Sequence, residues 1–139
     1  MKLCQPYFQT FIPLRHCMSD DILVIENVPV EGTFPEGGLI SIWTLNRPDK
    51  LNSLNSNSHK ALKEACELAE SNDSIRVIVI AGAPPNPPLE GRKSKPYSFA
   101  AGADISEFVG KNSDDVRPFF EDNAWGKGME SLQANNSHD

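Results

Sequence analysis

The run Ile75-Arg76-Val77-Ile78-Val79-Ile80-Ala81 constrains the fold more than any other stretch of this 139-residue chain. Near-continuous β-branched and apolar sequence of that length is the mark of a strand buried on both faces, the environment of a parallel sheet. Before it, Leu62, Ala65, Cys66, Leu68 and Ala69 recur with the 3.6-residue period, while Lys60, Lys63, Glu64, Glu67 and Glu70 occupy the opposite side. That pattern predicts a helix capped at Asn57 or Ser58 and running to about Asn72. Earlier still, Leu39 to Leu45 alternates, with Ile40, Ile42 and Thr44 on one face and Leu39, Ser41, Trp43 and Leu45 on the other. Strand, helix and buried strand compose a βαβ unit with a right-handed crossover, so the fold class is α/β.

The flanking sequence extends this unit. Ile22 to Val28 reads as a strand, and the loop Pro29 to Gly38 joins it to the next as an antiparallel hairpin. Asn46-Arg47-Pro48 ends the second strand, because proline biases Arg47 away from helix. Gly82 to Ser98 holds Pro84, Pro85, Pro87, Pro88 and Pro96 beside Arg92, Lys93 and Lys95, and reads as a long, partly polyproline-like surface loop. A short helix from Asp104 to about Gly110 follows. A further helix begins near Ser113 or Asp114, with Val116, Phe119, Phe120, Trp125, Met129 and Leu132 as its apolar side and Gly126 and Gly128 weakening it. Gln133 to Asp139 is polar and reads as frayed. Residues 1–20 are expected to be a leader and residues 21–139 one domain.

Composition removes several function classes. A net charge of −6 argues against a nucleic-acid binder that works through phosphate attraction. The apolar runs fall far short of a membrane span. Cys4, Cys17 and Cys66 form neither a metal spacing nor a disulfide framework, and Cys66 falls on the apolar helix face as a buried thiol. His16, His59 and His138 have no adjacent nucleophile and no ligand spacing, so no metal site or triad is expected. Gly82-Ala83-Pro84-Pro85 lacks the GxGxxG pattern of dinucleotide folds. Residues 1–19 carry Lys2 and Arg15 and no acid, as a mitochondrial presequence would, but Pro6 and Pro13 interrupt an amphipathic helix and favour a disordered leader. The expectation is a soluble protein, mitochondrial or cytoplasmic, with a weak targeting signal.

Chemistry concentrates in Ser98-Phe99-Ala100-Ala101-Gly102-Ala103-Asp104-Ile105-Ser106-Glu107-Phe108. Its small residues admit close backbone approach, and Gly102 can take positive φ without penalty. Asp104 stands as an N-cap with Glu107 three residues on, an Asp form of the capping box. A helix start of this kind offers free N–H groups to an oxygen that gains negative charge.

Two segments together resemble the crotonase (enoyl-CoA hydratase/isomerase) superfamily. Ile42-Trp43-Thr44-Leu45-Asn46-Arg47-Pro48-Asp49-Lys50-Leu51-Asn52-Ser53-Leu54 is similar to its LNRP…LNAL segment, and Ser98 to Phe108 to its FxAGADIxEF turn. The likeness covers about residues 21–110, with a weaker echo through Leu132. It implies the N-terminal half of a ClpP/crotonase fold, ββαβα with a partial spiral sheet. It also implies an acyl-CoA or enoyl-CoA thioester partner, and hydratase or isomerase chemistry in fatty-acid β-oxidation or other acyl-CoA metabolism. Coenzyme A is part of the substrate, so no separate cofactor is implied.

By the same resemblance the Ala103 N–H is one of two oxyanion donors, and Lys50, Leu51, Ala101, Gly102, Asp104 and Ile105 belong to the substrate and coenzyme A side. Lys50, joined by Arg92, Lys93 or Lys95, would meet the phosphates. Asp104 reads as a cap rather than a catalytic acid. The family's second donor and its acid/base glutamates find no matching segment, which gives the expectation of a truncated member. A non-catalytic module that binds acyl-CoA or pairs with itself or a full-length homologue is the rival reading, and a gene-model fragment the third. Ser53 stands where the family usually has alanine, and the loop before Phe99 is longer than usual.

Overall fold

The computed structural model describes residues 15–18, 22–30, 38–121 and 124–135. A four-stranded sheet runs in the order β1 (Arg15–Met18), β2 (Leu23–Val30), β3 (Gly38–Leu45) and β4 (Ile75–Gly82). β2 pairs antiparallel with both β1 and β3, Leu23 lying opposite Leu45. β3 and β4 are parallel, with Leu45 opposite Gly82 and an irregularity at Leu39/Ile40. Helix α1 (Ser56–Glu70) makes the crossover between them, so the βαβ unit stands as expected.

The core lies between α1 and one face of the sheet. Leu23 and Ile25 of β2 and Trp43 and Leu45 of β3 meet Ala61, Leu62, Ala65, Cys66 and Ala69 of α1. The alternation in β3 selects this face, and the buried Trp43 Nε1 donates to Ser41 Oγ at 2.8 Å, so the indole brings no unpaired donor inward. The Cys66 thiol is buried here, and desolvation pushes its pKa up.

Several elements depart from expectation for identifiable reasons. α1 begins at Ser56 with Asn55 as its cap, not at Asn57 or Ser58: Asn55 Oδ1 accepts from Ser58 N at 2.9 Å and from Ser58 Oγ at 2.8 Å. The helix ends at Glu70 rather than Asn72, and Leu68 is exposed instead of joining the core. β4 is not buried on both faces. Val77 and Val79 are 49% and 42% exposed, and β3 is its one neighbour among the described residues. An apolar run reports what a strand could bury; which face is covered depends on layers that its own sequence does not encode.

The single helix expected after Ser113 is two, α2 (Ser113–Glu121) and α3 (Ala124–Asn135), and Pro118 sits inside α2. α3 crosses α1, with Met129 and Leu132 against the core. A Cβ on Gly128 would lie 2.7 Å from Cys66 Cβ, so this glycine permits the helix contact. The run from Gln133, expected to fray, stays helical through Asn135. Arg15–Met18, inside the expected leader, pairs as β1. The rest of that leader through residue 14, most of the Pro29–Gly38 loop, residues 136–139 and the side chains of Phe119, Phe120 and Trp125 lie outside the described residues.

Candidate functional site

Both sequence motifs emerge at the C-terminal ends of the parallel pair β3 and β4, where open α/β sheets place their ligands. Asn46 follows β3 directly. Arg47, kept out of the helical region before proline at φ −129°, leads into a 3-10 turn over Pro48–Lys50. The chain then makes two consecutive left-handed residues, Leu51 at φ 52° and Asn52 at φ 55°. Non-glycine residues in that region cost about 1–3 kcal/mol each and persist only where surrounding contacts over-determine them.

Asn52 supplies those contacts. Its side chain is buried, Oδ1 accepting from Arg47 N at 3.0 Å and Nδ2 donating to Ala83 O at 3.0 Å and Ser98 O at 2.8 Å. One side chain thus ties the turn after β3 to both ends of the proline-rich loop after β4. Gly82, the last residue of β4, makes room: a Cβ there would sit 2.4 Å from Phe99 O and 2.6 Å from Ser98 O. Tyr97 Oη donates to Gly82 O at 3.2 Å, Lys95 Nζ to Asp49 O at 2.6 Å, and Asn86 Nδ2 to Asp49 Oδ1 at 3.1 Å, so the loop is pinned although exposed.

The two motifs then zip together through their backbones. Ala101 N donates to Leu51 O at 3.0 Å, Leu54 N to Gly102 O at 2.8 Å, and Asp104 N to Leu54 O at 2.8 Å. Leu54 and Ala103 form an isolated parallel bridge. In such a ladder Leu54 bonds the residues on either side of Ala103, so the Ala103 N–H and C=O point away from it. Ala103 is an exposed residue, and its N–H donates to no backbone carbonyl among the described residues. Gly102 takes φ 99°, which only glycine adopts freely, and this turns the chain toward Asp104.

Asp104 caps the 3-10 helix Ile105–Phe108 through Ser106 N at 3.2 Å and Ser106 Oγ at 2.6 Å on Oδ1. Its Oδ2 is 2.8 Å from Arg47 Nη2 in an ion pair whose side chains are only 17% and 10% exposed. The Ser106 hydroxyl first, and then Arg47, hold the Asp104 carboxyl down to about 2. Both carboxylate oxygens are therefore committed. The expected capping box does not close: Glu107 Oε2 instead accepts from Ser56 N at 2.8 Å and Ser56 Oγ at 2.9 Å, across to the start of α1. This distant carboxylate, with Asn55, accounts for the early helix start.

Of the residues singled out from sequence, Leu51, Ala101, Gly102, Ala103 and Asp104 meet along the zipped segments. Ile105 projects from the next turn, 77% exposed, and Lys50 is exposed at the end of the Pro48–Lys50 turn. Arg92 and Lys93 are exposed in the loop, and Lys95 is bound to Asp49 O. Sequence reasoning passed over Arg47 and Asn52 as organisers, although both stand in the quoted motif. Two grooves of about 350 and 430 Å³ lie elsewhere, against the C-terminal half of α1, and no residue of either motif's turn lines them. Among the described residues no group of His, Cys, Asp and Glu is placed to hold a metal ion, and no helix is long and apolar enough to cross a membrane.

The α/β unit thus ends its parallel strands in two interlocked turns, with the Ala103 N–H directed outward from the junction. Comparison with known proteins makes the assignment specific. The sequence profile of the enoyl-CoA hydratase/isomerase family matches residues 40–127. The short-chain-enoyl-CoA hydratase of Clostridium acetobutylicum is 34% identical over 82 residues, 59% of this chain and 27% of that protein. The 1,2-epoxyphenylacetyl-CoA isomerase of Escherichia coli is 35% identical over 83 residues, 60% of this chain and 26% of that protein. A crystal structure of an enoyl-CoA hydratase/carnithine racemase from Magnetospirillum magneticum superposes with a TM-score of 0.57 at 30% identity, covering 84% of this chain and 36% of that one. The chain belongs to the enoyl-CoA hydratase/isomerase family of the crotonase superfamily, and its fold is a partial crotonase fold. It spans about a quarter of the length of these two curated relatives.

Proposed function

We propose that this chain binds acyl-CoA thioesters and holds the thioester oxygen on the Ala103 N–H, stabilising the charge that grows there as an enolate forms. The observation that carries this reading is the direction of that N–H, turned outward by the Leu54–Ala103 bridge. A fixed donor of this kind is worth about 2.7–4 kcal/mol when it meets charge that develops only in the transition state. Exposed Lys50 and the loop cations Arg92 and Lys93 face solvent with charge suited to phosphates. Relatives named as an enoyl-CoA hydratase and an epoxyphenylacetyl-CoA isomerase support the thioester class.

Hydration also needs acid/base carboxylates, and Asp104 and Glu107 are already engaged by Arg47, Ser106 and Ser56. The chain's contribution is therefore binding and oxyanion stabilisation, with little turnover of crotonyl-CoA by these residues alone. Calorimetry with acetoacetyl-CoA, its S-alkyl thioether analogue and free coenzyme A tests the reading. Tighter binding of the thioester than of the thioether is expected; equal affinities would remove the oxyanion role.

A second reading rests on β4, whose outer edge is unpaired among the described residues and whose Val77 and Val79 are exposed. Such an edge invites strand pairing with a second copy or a longer relative. Light scattering across a concentration series separates a monomer from that assembly.

A further inference from the structure

Arg47 does more than close a turn. Its guanidinium reaches across 57 positions of sequence to Asp104, at 2.8 Å from Nη2 to Oδ2. Nη1 donates to Ser53 O at 2.6 Å, and lies 3.4 Å from Ser53 Oγ. Its own backbone N–H is fixed by Asn52 Oδ1 at 3.0 Å, and its carbonyl accepts from Lys50 N and Asn52 N, both at 2.9 Å. The side chain is thus held at its root by one motif and fastened at its tip to the other.

The partner it fastens is the residue next to Ala103. The Asp104 carboxyl is held down to about 2, by the Ser106 hydroxyl first and then by Arg47, and it is anchored by Ser106 on its other oxygen. A bare carboxylate one residue from an oxyanion donor would repel the charge that donor is meant to receive. The Arg47 guanidinium cancels that charge and fixes the peptide that follows the donor.

We propose that Arg47 is a positioning residue for the Ala103 donor: by neutralising and anchoring Asp104 it keeps the site open to a negatively charging oxygen. This rests on the thioester reading given above. It separates from a merely structural role because charge, and not shape alone, decides the outcome.

The test uses the full chain, with acetoacetyl-CoA and its S-alkyl thioether analogue as paired probes. Arg47→Met leaves Asp104 uncompensated and is expected to weaken acetoacetyl-CoA at least tenfold while changing the thioether less than threefold. Adding Asp104→Asn removes the offending charge and is expected to restore most of the lost affinity. Asp104→Asn alone, with Arg47 intact, removes the negative charge beside the donor and is expected to keep or raise the ratio of thioester to thioether affinity, whatever it does to both affinities together. A double variant as weak as Arg47→Met, or an Arg47→Met loss shared equally by the thioether, would overturn the electrostatic role. If Arg47→Met does not fold, a lower ratio of thioester to thioether affinity in Asp104→Asn than in the parent overturns it independently. Failure of the underlying reading shows separately, as a parent protein that does not distinguish thioester from thioether.

Discussion

The C-terminal ends of the sheet's parallel pair and the outer side of β4 are built on opposite principles. At the C-terminal ends of β3 and β4, left-handed residues, a buried asparagine and a largely buried ion pair are locked by hydrogen bonds between segments about fifty residues apart. Along the outer side of β4, apolar side chains stand exposed with no such network among the described residues. The first region spends conformational strain on fixed geometry, and the second leaves apolar surface without demanding any particular shape. Strain concentrates where the two motifs interlock. The proposed chemistry belongs to the turns rather than to the sheet.

Substitutions should respect that contrast. The largest effect is expected at Gly82, where any Cβ meets the backbone oxygens of Ser98 and Phe99 and one segment must move. Gly82→Ala should destabilise by about 3 kcal/mol, the upper range for overpacking, read as a lowered denaturant midpoint. Asn52→Ala comes next. It strips the partner from Ala83 O, Ser98 O and Arg47 N and leaves alanine in a left-handed conformation, for a loss of about 2–3 kcal/mol in the same measurement.

Acid gives a gentler probe of the same region. Because Asp104 titrates lower in the fold, its contribution to stability is complete above its ordinary value of 3.8 and fades as the pH falls through about 2. A carboxyl-detected NMR titration should show that midpoint, and Arg47→Met should move it upward. The smallest effect belongs to β4. Val79→Thr keeps the branched shape on an exposed face and should change stability by no more than about 0.5 kcal/mol. A comparable loss at Val79 and at Asn52 would erase the distinction between the two regions.

What sequence alone could show follows the same division. The alternation of Ser41, Trp43 and Leu45 and the helical period of Leu62, Ala65, Cys66 and Ala69 are local patterns, and the core they imply is the core observed. Both motifs were legible as segments. Their junction was not, since nothing in a single sequence says that Arg47 meets Asp104 or that Glu107 caps the helix starting at Ser56. Glu107 illustrates the reason. Three residues after Asp104 it satisfies a local capping pattern, yet the distant Ser56 N–H and hydroxyl together make the better partner. The exposure of Leu68, Val77 and Val79 was hidden for a related reason, because periodicity marks apolar faces but does not supply what covers them.

The central claim is that the Ala103 N–H is the group presented to a thioester oxygen, and its neighbours provide internal controls. Ala101 N–H and Asp104 N–H are held by Leu51 O and Leu54 O, whereas the Ala103 N–H points outward. A titration of the ¹⁵N-labelled chain with acetoacetyl-CoA, followed amide by amide, reads all three together. The account predicts a downfield shift of the Ala103 amide proton well beyond those of Ala101 and Asp104, absent when free coenzyme A is added. Saturable binding that leaves the Ala103 amide in place would contradict it.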